Sequence, residues 1–182
     1  MAISNIQRQL LIHEIGHSLS LAHPGDYNVA PGVTATYEAD AVYLQDSQQY
    51  TAMSYFDESS TGANFGNLMP MTPMIHDIAA VQMLYGANMT TRVGDTVYGF
   101  NSNTGSTIYK IATASESRVF CIWDAGGNDT LDLSGYSNNQ LINLNPGTFS
   151  NAGALTENWS IAFGVTIENA VGGSGNDNIV RK

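Results

Sequence analysis

Four residues near the start of the chain have the types and spacing of a divalent metal centre. His13 and His17 are four positions apart, so a helix through them places both imidazoles on one face, one turn apart. Two neutral imidazoles in that arrangement can bind one divalent ion. Glu14 projects about 100° around the helix from His13, where its carboxylate can reach a water at the ion without ligating the ion itself. This pattern predicts metal-assisted hydrolysis.

A third histidine, His23, follows six residues after His17. A continuous helix would turn it away from the other two, so the chain must leave the helix between Ser18 and Ala22 for His23 to return as a ligand. Three nitrogen ligands leave zinc the open position that a catalytic site needs. The alternative is that the histidines are ordinary core residues. It is disfavoured because burying two unpartnered imidazoles on one apolar stripe is costly.

Two helices are predicted in the first half of the chain. The first runs from about Ser4 to about Leu21 and carries the histidine motif. The second runs from Thr72 to Tyr85, with Thr72 as its N-cap and Gly86 at its exit. The segment between them is rich in glycine, proline, aspartate and tyrosine, which favours loops.

The pattern changes near residue 88 to short apolar runs separated by Gly/Asn/Asp clusters, which is typical of strands and turns. We therefore predict two units, residues 1–88 and 89–182, that pack together because no long linker separates them. The predicted strands are Thr107–Thr113, Val119–Trp123, Gln140–Asn145 and Trp159–Ile167.

Glycine- and aspartate-rich turns in the second half indicate calcium binding. Residues 172–180 fit the RTX repeat G-G-x-G-x-D-x-U-x once, with Ile179 at the inward-packing U position, and residues 124–132 form a related, degenerate turn. Such turns aim carbonyl and carboxylate oxygens at one point, and Ca²⁺ takes six to eight oxygen ligands. An Asx-rich hairpin without an ion remains the alternative.

Composition excludes several classes of partner. The net charge is −10, from 16 acidic and 6 basic residues, and this sign repels phosphate backbones, so no nucleic-acid partner is expected. No apolar run approaches the roughly 18 residues of a bilayer-spanning helix, so no membrane partner is expected either. The single cysteine, Cys121, lies in an apolar run and is expected to be buried and unreactive. Stability must then come from packing and bound ions.

Both ends of the chain suggest a longer parent protein. The N-terminus lacks the basic and apolar regions of a secretory signal and runs directly into the helical pattern. The C-terminus stops within a repeat. We expect both ends to be cut.

The histidine motif and its surroundings resemble the serralysins, secreted bacterial zinc endopeptidases of the metzincin group with a C-terminal calcium-binding β-roll. The resemblance rests on residues 13–28, on the Met-turn at 52–55 and on the helix pattern at 76–86. It implies that Met53 forms a floor beneath the zinc ligands. It also implies that Tyr55 is a further zinc ligand that can swing away to hydrogen-bond the reacting oxyanion. His76 is not a ligand in this alignment.

The same resemblance implies three calcium sites. The first uses carbonyls and carboxylates of two neighbouring loops, the second shares one residue with it, and the third is incomplete because its partner repeat is absent. The implied ligands are Arg92, Gly94, Thr96, Asp124, Gly126 and Asp129 for the first, Gly127, Asp129, Thr166 and Glu168 for the second, and Gly173, Gly175 and Asp177 for the third.

The chain departs from the serralysin pattern at two points. Ser20 stands where the motif has glycine, and a non-glycine residue at φ > 0 costs on the order of 1 kcal/mol, so a strained bend or weaker zinc binding is expected. Serralysins also have about a hundred or more folded residues before the zinc helix, including the sheet whose edge strand aligns the substrate. Only twelve residues precede His13 here.

The sequence therefore predicts an α+β fold in which a metzincin lower subdomain packs against a C-terminal β-roll or β-sandwich. The predicted protein is a secreted zinc endopeptidase stabilised by calcium, with Zn²⁺ on His13, His17 and His23, Glu14 as general base and Tyr55 supporting the oxyanion. Polypeptide substrates, and a proteinaceous inhibitor of the family, are the implied partners. Two alternatives stay open: a zinc- and calcium-binding fragment without turnover, and a hydrolase of another substrate.

Overall fold

The computed structural model describes residues 4–27 and 30–181. Helices occupy the first half and short strands the second, so the chain is a mixed α+β protein. The helices are α1 (Asn5–Ser18), α2 (Tyr37–Asp40), a 3-10 turn (Glu58–Thr61) and α3 (Ile75–Tyr85). The strands are β1 (Val97–Gly99), β2 (Phe120–Ile122), β3 (Thr130–Asp132), β4 (Leu141–Asn143), β5 (Phe149–Ser150), β6 (Trp159–Ile161), β7 (Asn169–Val171) and β8 (Asn178–Val180).

Helix α1 begins and ends as its sequence dictates. The Ser4 hydroxyl accepts the Gln7 amide, and the Gln7 side chain accepts the Ser4 amide, which together form a capping box. The helix stops at Ser18, and Ser20 follows in the left-handed conformation at φ 68°. The predicted exit between Ser18 and Ala22 is therefore confirmed, and serine carries the strain expected of a non-glycine residue there.

Helix α3 starts later than predicted. Its N-cap is Met74, not Thr72, because Asp77 at the third helical position accepts the Met74 amide. The Thr72 hydroxyl instead accepts the amide of Cys121, which ties the segment before α3 to strand β2. Gly86 ends the helix at φ 83°, as expected.

The second half consists of three small, mainly parallel sheets. Strand order is β1-β3-β7 in one sheet and β2-β6-β5 in another, while β4 pairs with β8; among these eight described strands, β5 alone pairs antiparallel. Tyr98, Leu131 and Ala170 lie side by side in the first sheet. Paired parallel strands are not consecutive in the chain, because at least one other strand lies between them. The chain therefore winds round between one strand and its parallel neighbour, which gives a rolled arrangement of strands.

Three of the predicted strands exist in shortened form, at β2, β4 and β6. The predicted strand at Thr107–Thr113 is wrong: only Lys110 forms a bridge, with Gly99. The Ser106 hydroxyl accepts the Ile108 amide, an alternative to strand pairing that serine and threonine offer the backbone. The predicted strand Trp159–Ile167 ends at Ile161, since a turn with Gly164 at φ 79° follows.

One apolar core spans both halves of the chain, so the prediction that they pack together is confirmed. Met74 and Ile75 of the first half lie in the same buried cluster as Phe120, Leu131 and Trp159. Cys121 is in this cluster, 1% exposed, as predicted, and burial raises the pKa of its thiol to about 12.

Helix α1 takes little part in this core. Gly16 is its one buried residue in the described structure, and several large apolar side chains on it are exposed, namely Ile6, Leu10, Leu11 and Ile15. Among residues 4–27 and 30–181, no helix combines the length and the apolar character needed to cross a membrane.

Candidate metal centre

The structure brings the three motif histidines together. The Nε2 atoms of His13 and His23 are 3.1 Å apart, and those of His17 and His23 are also 3.1 Å apart. Four-coordinate zinc with Zn–N bonds near 2.05 Å would hold such nitrogens roughly 3.3 Å apart. One ligand atom from each of the three histidines lies within 4.8 Å of the other two, which is close enough for all three to bind one ion.

The hydrogen bonds on the far side of the rings show which nitrogens are free. Nδ1 of His13 donates to the Ala52 carbonyl at 2.9 Å, and Nδ1 of His17 donates to the Leu21 carbonyl at 2.9 Å. In the neutral rings both Nε2 atoms are then unprotonated. His23 can donate to only one of them, so at least one pair of Nε2 atoms meets lone pair to lone pair. A cation between the nitrogens would turn this repulsion into coordination.

Electrostatics favour the neutral, ligating form of His23. Burial lowers the pKa of His23, and the charges that His17 and His13 would carry lower it further, while Glu14 opposes the shift. Three histidines this close cannot all be protonated without repulsion.

Glu14 lies beside the cluster on the open side. It is exposed and, with His13 and Tyr55, lines a cleft of about 490 Å³. Among the described residues its carboxylate makes no hydrogen bond, so it is free to contact a water in the cleft.

The Met-turn forms the other wall of the cluster. Met53 is 2% exposed, and a Cβ at Gly16 would collide with its sulfur, which explains why α1 has no side chain at that position. The preceding residue, Ala52, supplies the carbonyl that orients His13. Tyr55 then leaves the turn with its ring centroid 4.5 Å from that of His23 and 6.1 Å from that of His13.

Comparison with known proteins identifies the family. Residues 87–182 match the family model described as Peptidase M10 serralysin C terminal. The chain belongs to the serralysin family. It is 60% identical over 173 residues to "Serralysin C" of Dickeya chrysanthemi, 54% over 175 residues to "Serralysin" of Proteus mirabilis, and 55% over 182 residues to "Metallopeptidase AprA" of Pseudomonas marginalis.

These alignments cover nearly all of this chain but little of its serralysin relatives. They include 95%, 96% and 98% of the chain and 36%, 35% and 38% of the respective relative. The chain therefore spans little more than a third of the length of the curated serralysins it matches.

Asp77 is a residue of this site that the sequence analysis missed. It is 4% exposed; Oδ2 accepts the amides of Ala52 and Met74, each at 2.8 Å, and Oδ1 accepts the Thr51 hydroxyl at 2.5 Å. Its carboxylate thus fixes the residue, Ala52, whose carbonyl orients His13. A signal was present, since aspartate at the third position of a helix commonly accepts the N-cap amide. With the helix predicted to begin at Thr72, Asp77 does not fall at that position.

We predict that Asp77→Ala destabilises the fold by about 3 kcal/mol, because it leaves two amides and a hydroxyl unpaired in a buried place. Urea unfolding followed by circular dichroism measures this. Asp57→Ala is the matched control, since Asp57 is exposed and makes no side-chain cap hydrogen bond. Equal stability of the two variants would show that Asp77 does not hold the Met-turn.

The predicted residues of the first calcium site lie together. Asp129 Oδ1 accepts the Thr96 amide at 2.8 Å, and Gly127 packs directly on the Gly94 carbonyl, leaving no room for a Cβ. Asp124 is within 4.0 Å of the Arg92 guanidinium, and its other oxygen accepts the Gly126 amide. Loops 92–96 and 124–129 are therefore stacked.

Asp129 is the most unusual carboxylate of this group. It is fully buried, and its Oδ2 has no hydrogen-bond partner among the described residues. Burial raises the pKa of Asp129 to about 6, and the charges of Asp124, Glu168 and Asp95 add to this, against the Thr96 amide. A divalent cation would satisfy the unpaired oxygen and offset the repulsion.

The other predicted calcium ligands are arranged less uniformly. Glu168 accepts the Asp129 amide at 2.7 Å, which brings it to the second site, whereas Thr166 makes no hydrogen bond within the described part of the chain. Asp177, of the third site, has both oxygens occupied, by the amides of Gln140 and Gly173. Turn 173–177 packs on residues 136–140 instead, with Gly173 and Gly175 against the carbonyls of Tyr136 and Asn138.

The U position of the repeat does not pack inward as predicted. Ile179 is 50% exposed, whereas Leu131, at the matching position of the first turn, is fully buried between β1 and β7. The difference arises because Ile179 has a single strand neighbour, at Ile142, within the described residues.

Proposed function

We propose that this chain carries the zinc centre of a secreted, calcium-stabilised endopeptidase. The observation that carries the proposal is the convergence of three histidine Nε2 atoms beside a free carboxylate, Glu14. Membership of the serralysin family and the likeness to a relative named "Metalloprotease AprA", from Pseudomonas entomophila, support it. Residues 1–88 are the metzincin lower catalytic subdomain in this proposal, and residues 89–182 begin the β-roll.

The proposed chemistry assigns one role to each side chain. Zinc held by His13, His17 and His23 would supply a water of lowered pKa and a Lewis acid for the scissile carbonyl. Glu14 accepts the proton of the attacking water and passes it to the leaving amine. Tyr55 either ligates the ion or donates its hydroxyl to the developing oxyanion.

The proposed partners follow from this chemistry. Polypeptides are the substrates, and a proteinaceous inhibitor of the family is a further partner. The net charge of −10 argues against nucleic acid, and neither a nucleic-acid nor a membrane partner is proposed. Secretion rests on the family resemblance alone.

A casein assay tests the function directly. The chain, saturated with zinc and calcium, should release peptides, and a zinc-selective chelator should stop the release until zinc is restored. Peptide release that the chelator leaves unchanged would contradict zinc catalysis. Zinc binding without any release would favour the alternative of a metal-binding fragment without turnover.

Calcium is proposed at the stacked loops 92–96 and 124–129, supported by the unpaired, buried oxygen of Asp129. The second site shares Asp129 and adds Gly127, Thr166 and Glu168. The third, on Gly173, Gly175 and Asp177, is expected to be weak because both Asp177 oxygens already accept amides.

We predict that calcium at a hundredfold excess over its Kd raises the free energy of unfolding by about 2.7 kcal/mol, because it binds only the folded chain. Asp129→Asn should lose most of this gain, and Asp177→Asn should keep most of it. Thermal melts with calcium or a calcium-selective chelator measure the effect. A wild-type melt that does not respond to the chelator would refute calcium stabilisation.

A further inference from the structure

A buried carboxylate, Asp46, lies behind the histidine cluster and belongs to none of the sites above. It is fully buried, and its Oδ1 accepts two hydroxyls, from Tyr27 at 2.7 Å and from Ser54 at 2.7 Å. Its Oδ2 has no hydrogen-bond partner among the described residues. A half-satisfied buried carboxylate is costly, so it calls for an explanation other than stability.

The hydroxyl of Ser54 links Asp46 to the backbone around Tyr55. Ser54 precedes Tyr55, and the Ser54 oxygen also accepts the amide of Phe56 at 3.1 Å, on the far side of Tyr55. Both neighbours of Tyr55 are buried, while Tyr55 itself is 56% exposed. Asp46 thus holds the short turn from which the Tyr55 side chain projects.

The hydroxyl of Tyr27 links Asp46 to the ring that packs on Tyr55. The rings of Tyr27 and Tyr55 are stacked, with centroids 4.9 Å apart and an interplanar angle of 29°. Tyr27 also contacts Phe56 edge-on at 5.0 Å and lies 5.8 Å from the ring of His23. Such aromatic contacts fix ring orientation as well as position.

Tyr27 is held in a strained conformation. Its φ is +46°, in the left-handed region that a bulky aromatic residue rarely adopts. Strain of this kind persists only where the surrounding contacts over-determine it, and such residues cluster at functional sites. The hydroxyl of Tyr27 donates to Asp46 and also lies close to Ser54 and to the backbone of Tyr55, and these polar contacts hold the Tyr27 side chain in place.

Tyr55 depends on these contacts because little else orients it. Within residues 4–27 and 30–181 its hydroxyl has no hydrogen-bond partner, and its ring contacts are those with Tyr27, His23 and His13. Its backbone position and one face of its ring therefore both trace back to the same oxygen of Asp46.

We propose that Asp46 is a positioning residue that, through Tyr27 and Ser54, holds the Tyr55 ring over the histidine cluster. The inference deepens the proposed function, since it concerns the side chain assigned to oxyanion support. Asp46 touches neither the histidines nor the cleft that Glu14 lines. Among the described residues, the hydrogen bonds of its side chain are those with these two hydroxyls.

The test is the aromatic NMR spectrum of the chain labelled with ¹³C in its tyrosine rings. The Tyr55 signal is assigned by its disappearance in Tyr55→Phe, and stacking on Tyr27 and His23 should move it away from the position of a free tyrosine. Tyr27→Phe, which removes only the hydroxyl, and Asp46→Ala should return it most of the way to that position. Asp46→Asn keeps an oxygen acceptor and should keep most of the shift.

Tyr37→Phe is the matched control, because Tyr37 packs on the same Phe56 but donates its hydroxyl to the Leu44 carbonyl. It should leave the Tyr55 signal unchanged. A Tyr55 signal at the wild-type position in a folded Tyr27→Phe variant would overturn the proposal. Because Tyr27→Phe removes only a hydroxyl, it still tests the role of Asp46 if the Asp46→Ala variant does not fold.

The spectrum needs neither zinc nor hydrolysis, so it separates the two proposals. Absence of casein hydrolysis in the zinc-loaded wild type would count against the proposed function only. Where hydrolysis is present, Tyr27→Phe should lower kcat with KM and zinc content unchanged, and a change in KM alone would contradict a role in positioning Tyr55.

Discussion

Glu14→Ala is expected to keep its bound zinc and to lose hydrolysis, whereas His13→Ala is expected to lose most of the zinc. The reason is geometric: the Nε2 of His13 is one of the three converging nitrogens, while Glu14 lines the cleft beside them. Loss of a general base lowers kcat/KM by about two to four powers of ten. Metal analysis of the dialysed proteins and hydrolysis of one peptide separate the two effects.

His76→Ala is the matched control for this experiment. His76 lies outside the cluster; its ring packs 5.2 Å from that of Tyr50, and its backbone amide donates to the Tyr50 carbonyl. Burial lowers the pKa of His76, partly offset by Asp77. The variant should retain zinc. Equal zinc loss in Glu14→Ala and His13→Ala would contradict the assignment of His13 as a ligand and Glu14 as the general base.

The elements that carry the histidine cluster could be predicted because the information is local. His13 and His17 share a helix face by spacing alone, and the return of His23 required a helix exit that the structure places at Ser20. Ser4 and Gln7 likewise mark the start of the helix through a capping box three residues long. No contact with a distant part of the chain was needed for these inferences.

The supporting contacts could not be predicted, because they join distant segments. The carbonyl of Ala52 lies 39 residues from His13, and the Asp77 carboxylate lies 25 residues from Ala52. Asp46 reaches Tyr27 across 19 residues. Each partner is an ordinary loop or helix residue by type. Only the fold shows that the Asp77 carboxylate fixes Ala52, the partner of His13, and that the Asp46 carboxylate fixes the turn that carries Tyr55.

The strands were harder still, because each is two or three residues long. Such segments are too short for an alternating pattern, and parallel strands buried on both faces lack one. Phe120–Ile122 could be recognised because all three of its residues are apolar and buried. Asn169–Val171, with Asn169 and Val171 exposed, carried no comparable signal.

The largest expected effect concerns how a substrate is held. Hydrolysis needs an activated water and a peptide aligned against it, and extended peptides are commonly aligned by pairing with a strand edge. The described residues before Val97 contain no strand, and the residues that line the cleft at His13 and Glu14 lie in helix α1 and in loops. Leu10 of α1, which lines the same cleft, is 55% exposed, so this side of the helix is open.

We therefore predict that this chain hydrolyses peptides several powers of ten more slowly than the serralysins it resembles, which are nearly three times as long. Positioning of the substrate supplies about 7–11 kcal/mol of barrier reduction, so losing half of it is enough to lower the rate of hydrolysis by several powers of ten. The comparison is with full-length Serralysin C of Dickeya chrysanthemi, to which the chain is 60% identical, at equal zinc occupancy on one unfolded substrate.

The control for sequence differences is the 173-residue segment of Serralysin C that aligns with this chain. It should be as slow as the chain itself, because the two share the histidine motif and span the same part of full-length Serralysin C. A kcat/KM of the chain close to that of full-length Serralysin C would show that the helices and loops around His13 align the peptide unaided. A fast segment beside a slow chain would instead assign the defect to substitutions in this chain, with Ser20 at the strained helix exit the first to revert to glycine.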